Sequence, residues 1–409
     1  MLSRLCQERN KTIIPGLLSQ HSAVLTGDAA VVDLSTAENW SVKELLLSRI
    51  RTALSDLSDE DLAYASGVGG CTKTRTLLAE LFNSHFHPAK KLDASNVVLA
   101  AGGSFALTAL VEQICEPGDG ILIAAPYWAG LDISISVHCY GKIVPVHVPL
   151  DKFFLPESVH YYEDALRNNS VPIKAVLVCN PHNPLGQCYP RETLEAMRMF
   201  CAHEGLHYIS DEVYALSSHK KHPVDAVPYM SVLELEQKEV AAEMHVIYSM
   251  SKDFGCNGIR LGALVSQSNE ALRLSAALSV HSQVSSLSTV LASKLLTSDT
   301  VQYVTEFGGA RLREAYLVIS SFFEANRMRY IPAYYGMFVF VRLVDLHNME
   351  EEKKLQSCLK ANAVSLSTGS SYHFKEAGWF RICYGVPLAD LRKGLKRIEA
   401  GIAEYSKGR

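Results

Sequence analysis

The chain of 409 residues carries 39 Lys and Arg against 43 Asp and Glu, for a formal net charge of −4. About half of its residues are apolar and about a fifth charged, a balance that excludes a basic nucleic-acid-binding or anionic-membrane-binding surface as its organising feature. Ten scattered cysteines form no Cys-x-x-Cys pair and none groups with histidines at ligand spacing, which argues for a reducing compartment and against a structural zinc site.

The length suits a large domain with a smaller one. The opening stretch MLSRLCQERNKTIIPGLL lacks the apolar core of about 7–15 residues that marks a signal peptide. Its basic residues are the only feature it shares with a mitochondrial address. No apolar run approaches the roughly 20 residues that span a bilayer, so the expectation is a soluble, cytoplasmic chain.

Seven short apolar runs follow: NVVLAAGG (96–103), GILIAAPYW (120–128), GKIVPVHVPL (141–150), IKAVLVCNP (173–181), GLHYISDEVY (205–214), MHVIYSMSK (244–252) and LGALVSQ (261–267). They are almost continuous in Val, Ile, Leu and Ala, as strands buried on both faces are. Amphipathic stretches such as RETLEAMRMFCAHE (191–204) lie between several of them. The alternation predicts an α/β fold, with a mainly parallel sheet covered by helices in the large domain. From about residue 297 the pattern changes to long helical segments, the run MFVFVRLVDL (337–346) and a closing helix, which reads as a smaller α+β domain. The expected division is 1–45 as an amino-terminal arm with part of the small domain, 46–296 as the large domain, and 297–409 as the small domain.

Ligands of such sheets collect at strand ends, and several of these ends are unusual. AGGSFALTAL (101–110) runs through glycines into a helix, offering free N–H groups and a positive dipole end that suit a phosphate. CNPHNPLGQ (179–187) sets two Asn-Pro steps and a glycine in one loop, which in isolation reads as turn chemistry. ISDEVYALS (209–217) ends an apolar strand in adjacent carboxylates. Asp211 there could be a helix cap, but a buried carboxylate calls for a positive partner. YSMSKDFGCNGIRLG (248–262) places Lys252 among small hydroxyl residues and glycines, eight positions before Arg260. A phosphate cradle, a reactive lysine, a carboxylate facing a protonated ring nitrogen and donors for a phenolic oxygen are together the requirements of pyridoxal 5′-phosphate chemistry. Lys252 is then the Schiff-base lysine, and Arg260 suits the phosphate because its planar fork stays charged.

The order Gly-Gly, Pro-Tyr-aromatic, Asn-Pro-x-Asn-Pro-x-Gly, Ser-Asp-Glu-x-Tyr, Ser-x-Ser-Lys and Gly-x-Arg resembles the class I/II aminotransferase superfamily, the fold-type-I pyridoxal phosphate enzymes. TAENW (36–40), YSMSKDFGCNGIRLG and STGSSYHFKEAGWFRICYG (367–385) resemble more narrowly the 1-aminocyclopropane-1-carboxylate synthase branch. The resemblance runs from about residue 30 to the end and implies an aspartate-aminotransferase-like fold. It implies Lys252 as Schiff base and proton shuttle, Asp211 at the pyridine nitrogen, and Asn183 and Tyr214 at the ring's phenolic oxygen. Trp128 matches the stacking aromatic better than Tyr127 does. Gly103, Ser104, Phe105, Ser249, Ser251 and Arg260 match the phosphate site. Arg381 matches the arginine for the substrate carboxylate, and Ala37 and Glu38 match a segment on the substrate side. No metal is implied, and a homodimer with shared active sites is.

Two departures bear on function. Phe105 stands where the family usually has a hydroxyl residue, so one phosphate contact is expected from backbone alone. In LAYASGVGGCTKTR (62–75) Val68 occupies the position of a family tyrosine that helps orient the synthase's sulfonium substrate, and Tyr64 could replace it only through a remodelled loop. Ring closure is therefore in doubt, while Cα–H cleavage and loss of a side-chain leaving group are not. The favoured reading is a carbon–sulfur lyase acting by elimination on a sulfur-containing amino acid. The competing one is an aminotransferase, and a non-catalytic binding or regulatory homologue is the remote third.

Overall fold

The computed structural model describes residues 1–15, 31–55, 57–64, 67–219, 223, 226–236 and 243–408. The predicted arm is described only in part, because residues 16–30 lie outside that set, as do residues 65 and 66 of the loop carrying Tyr64 and Val68.

All seven apolar runs become strands of one sheet. In chain order they are β2 (Val97–Ala100), β3 (Gly120–Ala125), β4 (Lys142–His147), β5 (Ile173–Cys179), β6 (His207–Asp211), β7 (Met244–Ser249) and β8 (Gly262–Ser266), following a short β1 (Val32–Asp33) outside the sheet. Across the sheet the order is β2-β8-β7-β6-β5-β3-β4. All neighbours are parallel except that β8 runs antiparallel to both β7 and β2. Successive side chains of a strand point to opposite faces. On β5, Val176 and Val178 join one core, with Phe82 and Phe200 from covering helices, while Ala175 and Leu177 join another, with Leu107 and Leu110. Burial on both faces is why these strands read as unbroken apolar runs rather than alternating ones.

A further core belongs to the antiparallel sheet β12-β13-β10-β9, in chain order β9 (Arg329–Ile331), β10 (Phe338–Arg342), β12 (Ser367–Thr368) and β13 (Trp379–Cys383). Helices Gly309–Ala325, Met349–Ala361 and Leu388–Lys407 cover it, and Val32, Leu34 and Ala37 from the amino-terminal side pack into the same core. Strand β1 pairs in parallel with β11 (Val364–Ser365), and this places residues 35–37 beside the carboxyl ends of the large sheet.

No helix among the described residues is long and apolar enough to cross a membrane. None of the ten cysteines is paired, and no cluster of three or more metal-ligating side chains occurs among the described residues.

Candidate active site

A cavity of about 390 Å³ opens where the carboxyl ends of β3, β5, β6 and β7 meet the segments around Ser35 and Arg381. Its large-domain end begins at the turn after β2. Gly102 has φ +100° and caps the helix Gly103–Ile114, whose first N–H groups have no partner within the helix. A Cβ at Gly102 would lie 2.3 Å from the Arg260 guanidinium, so the close approach of that arginine requires glycine as much as the positive φ does. Arg260, itself left-handed at φ +58°, donates to the carbonyls of Asn257 (2.6 Å) and Ala101 (2.8 Å). Where β7 ends, the Ser249 and Ser251 hydroxyls meet at 2.9 Å, and the Ser251 N–H donates to Ser249 Oγ. Gly103, Ser104, Ser249, Ser251 and Arg260 all line the cavity. Phe105 does not: its ring packs partly buried on the core, 5.6 Å from the His138 ring, leaving its backbone as its contribution.

Asp211 ends β6, paired in register with Cys179 of β5. Its Oδ1 is buried without a hydrogen-bond partner. Burial pushes its pKa up to about 6, against the smaller opposing effects of the Val213 N–H and the Lys252 charge. Lys252 Nζ donates to the Ala37 carbonyl at 2.9 Å. Burial, reinforced by the positive charge of Arg381, lowers its pKa to about 8, so its free amine is far more accessible near neutrality than that of an ordinary lysine. Its neighbour Asp253 is fully buried and accepts from the Leu216 N–H and the Ser217 and Tyr248 hydroxyls, tying the lysine segment to the turn that carries Tyr214. Asn183 Nδ2 donates to the Tyr214 phenol at 3.4 Å. Burial, above all, keeps that phenol protonated, and its own hydrogen remains available to an acceptor in the cavity.

Arg381 is buried on β13, flanked by the rings of Phe338 and Tyr372 at 5.2 and 5.1 Å. Nη1 donates to Asn183 Oδ1 at 3.1 Å and Nη2 to the Ser35 carbonyl, while Nε is buried without a partner. Trp128 lines the cavity and is 40% exposed. Tyr127 lines the cavity as well, its ring stacked on that of His373 at 4.3 Å.

Two expected site residues stand apart from this assembly. Glu38 does not line the cavity; it holds Asn257 Nδ2 at 2.6 Å and Lys43 at 3.2 Å. Burial alone would raise its pKa, but these partners outweigh it and hold the carboxylate below its ordinary range. Tyr64, which follows the short turn Asp59–Leu62, is 92% exposed and borders a separate cavity of about 290 Å³ with Gly69, Cys71 and Val284. Tyr372, Asn257 and Gln356 line the main cavity without having been singled out from sequence. Tyr372 lies within the quoted STGSSYHF stretch, whereas nothing in the sequence around Gln356 points to a site.

These residues fit pyridoxal 5′-phosphate. The helix start, the paired serines and Arg260 offer a phosphate cradle, and the orphaned Asp211 oxygen offers a place for a protonated ring nitrogen. Tyr214 and Asn183 supply donors, and Lys252 supplies the amine. Fold and site define a pyridoxal-phosphate enzyme of fold type I. The profile of the family described as aminotransferase class I and II matches residues 29–398, and the chain belongs to that family. Over its full length the chain is 49% identical to the probable aminotransferase tcpI of Claviceps purpurea, covering 97% of that protein. It is 31% identical to 1-aminocyclopropane-1-carboxylate synthase 5 of Arabidopsis thaliana, over 85% of this chain and 76% of that one. The aspartate aminotransferase of Thermus thermophilus with maleate superposes with a TM-score of 0.79 at 20% identity, over 98% of this chain and 99% of that one.

Proposed function

We propose that this protein is a carbon–sulfur lyase that eliminates a thiol from the side chain of an α-amino acid. The observation that carries this reading is the charge inventory of the cavity. Among the described residues its charged side chains are Asp211, Lys252, Arg260 and Arg381. Asp211 and Arg260 are committed to the cofactor and Lys252 to proton transfer, which leaves Arg381 as the one fixed cation that this protomer offers a substrate carboxylate. A monocarboxylic amino acid with a neutral side chain satisfies it. A dicarboxylic amino-group carrier would bury its second carboxylate without a counter-charge, at substantial cost.

When bound, pyridoxal 5′-phosphate supplies an electron-withdrawing ring that acidifies the Cα–H of the amino acid joined to it. The residues of the chain do the rest. Arg381, held in plane by Asn183 and between two rings, grips the carboxylate by paired hydrogen bonds. Lys252 Nζ, a free amine once displaced by the substrate, takes the Cα proton as general base. The Cβ–S bond then breaks with its electron pair leaving on sulfur, and the proton that Lys252 took from Cα passes to that sulfur and releases the thiol. The resulting 2-aminoacrylic acid is hydrolysed by water to a 2-oxo acid and ammonium.

A second reading, an aminotransferase, is favoured by the names of its relatives: probable aminotransferase tcpI, and probable aminotransferase sirI of Leptosphaeria maculans at 40% identity over the whole of both chains. Supplying S-substituted cysteines and S-adenosylmethionine to the loaded enzyme without a 2-oxo acid separates the two. Thiol or thioether, ammonium and a 2-oxo acid released over many turnovers support the lyase. One stoichiometric conversion that restarts only when a 2-oxo acid is added means transamination.

Exposed Leu62 and Tyr64 border the second cavity and Val68 is exposed in the same loop, a patch that suits a covered face. We assign it to a homodimer contact, which a monomeric mass by light scattering at full activity would rule out. The ten unpaired thiols accord with a cytoplasmic location.

A further inference from the structure

The small-domain wall of the cavity contains a polar group that neither the cofactor nor the carboxylate grip uses. Gln356 lies on the helix Met349–Ala361, is half-buried and lines the cavity. Its amide makes no hydrogen bond within the described chain. Its position is set from one turn earlier on the same helix face, since residues four apart are neighbours. There Glu352, only 1% exposed, accepts from the Ser370 hydroxyl at 2.6 Å and the Gly378 N–H at 2.9 Å, fastening the helix to the turn that carries Ser371 and Tyr372. Ser371 lines the same wall, with its hydroxyl 2.9 Å from that of Thr368. Thr36 and Ser367 complete it, and Ser367 is in register with Arg381. Beside the carboxylate grip there is thus a surface that is polar but uncharged.

We propose that Gln356, with Ser371 and Thr36, is the recognition subsite for the part of the substrate beyond its Cβ, and that it takes a neutral carbonyl- or amide-bearing group. A primary amide presents both a donor and an acceptor, so its best complement is another amide. An ionised group there would lose its hydration with no opposite charge to replace it. The proposal deepens the elimination reading by naming the class of leaving group, a thiol carrying an uncharged amide or carbonyl, and it rests on that reading for the bond that breaks.

The test uses the cofactor-loaded enzyme and α-methyl amino acids, which lack the Cα–H and so bind without eliminating or transaminating. Dissociation constants come from the shift of the cofactor's visible absorption. The α-methyl analogue of S-(carbamoylmethyl)cysteine should bind about three- to tenfold more tightly than the S-propyl analogue, as one net hydrogen bond gives. Gln356→Leu should abolish that preference, with S-propyl binding retained or strengthened because leucine adds apolar surface. Gln356→Glu should turn the preference toward the S-(2-aminoethyl) analogue, a gain that misfolding cannot mimic. Equal affinities in the parent, or a preference that survives both substitutions, overturns the subsite. Because the ligands do not react, selectivity that follows Gln356 in an enzyme that never releases thiol would retain the subsite and reject elimination. Thiol release with unmoved selectivity would do the reverse.

Discussion

The two arginines of the cavity are built in opposite ways. Arg260 is exposed, strained into a left-handed backbone, and held by two backbone carbonyls, one from its own turn and one from the glycine turn beside it. Arg381 is buried in regular strand, between two aromatic rings and against groups from residues 35 and 183. The difference is what the proposed division of labour asks of each end. A phosphate that stays in place is met by backbone N–H groups, hydroxyls and a solvent-screened cation. A carboxylate that must be oriented anew each turnover is met by a desolvated, planar fork that its neighbours hold fixed.

The largest effect expected is at the residue between the two ends. Lys252→Ala should abolish the visible band of the lysine-bound cofactor and lower kcat by roughly 10²–10⁴-fold, as read by absorption and steady-state rates; retained turnover would sink the cofactor reading. Arg381→Leu should lower kcat/KM about a hundredfold or more, since two charge-assisted bonds are lost, while cofactor affinity by spectral titration stays put. Arg260→Gln should do the converse, weakening cofactor binding by about tenfold and flattening its salt dependence, because that cation is exposed and screened. If either arginine variant weakens both ligands alike, the division of labour between the ends is wrong.

Asp211→Asn sharpens the contrast at the cofactor end through pH. The folded-state pKa of Asp211 is raised from 3.8 to about 6, so the folded apoprotein binds more protons than the unfolded chain between these values. Stability from this group falls as pH rises through that window. The Asn variant, though inactive, should therefore melt about 2–4 °C above the parent apoprotein at pH 8, a gap closing as pH falls from 6 to 4. An apoprotein gap independent of pH would mean the carboxylate is already compensated. The smallest functional effect belongs to Phe105→Ser, which should cost about 1–3 kcal/mol of stability yet change cofactor affinity less than about twofold. A larger change would put its side chain in the cradle after all.

The same contrast accounts for how much could be read in advance. The seven strands, and the strand-end residues that the cavity brings together, are legible because their signals are contiguous: apolar runs closed by Gly-Gly, by Ser-Asp-Glu and by Ser-x-Ser-Lys. Resemblance favours Trp128 over Tyr127 as the stacking aromatic; both residues line the cavity, and the Tyr127 ring is also stacked on His373. Glu38 and Tyr64 come from aligned position; within the protomer one is engaged by Asn257 and Lys43 and the other borders the second cavity, away from the main one.

By itself the sequence determined the strand order along the chain, the turn chemistry at each strand end and the small-hydroxyl, glycine-rich setting of Lys252, because each depends on neighbours a few residues apart. Only the tertiary structure decided what surrounds Arg381 and that Gln356 reaches the cavity. Those environments are assembled from segments separated by as many as 346 residues, and the packing of the antiparallel sheet and its helices against the ends of the large sheet, not any local pattern, brings them together.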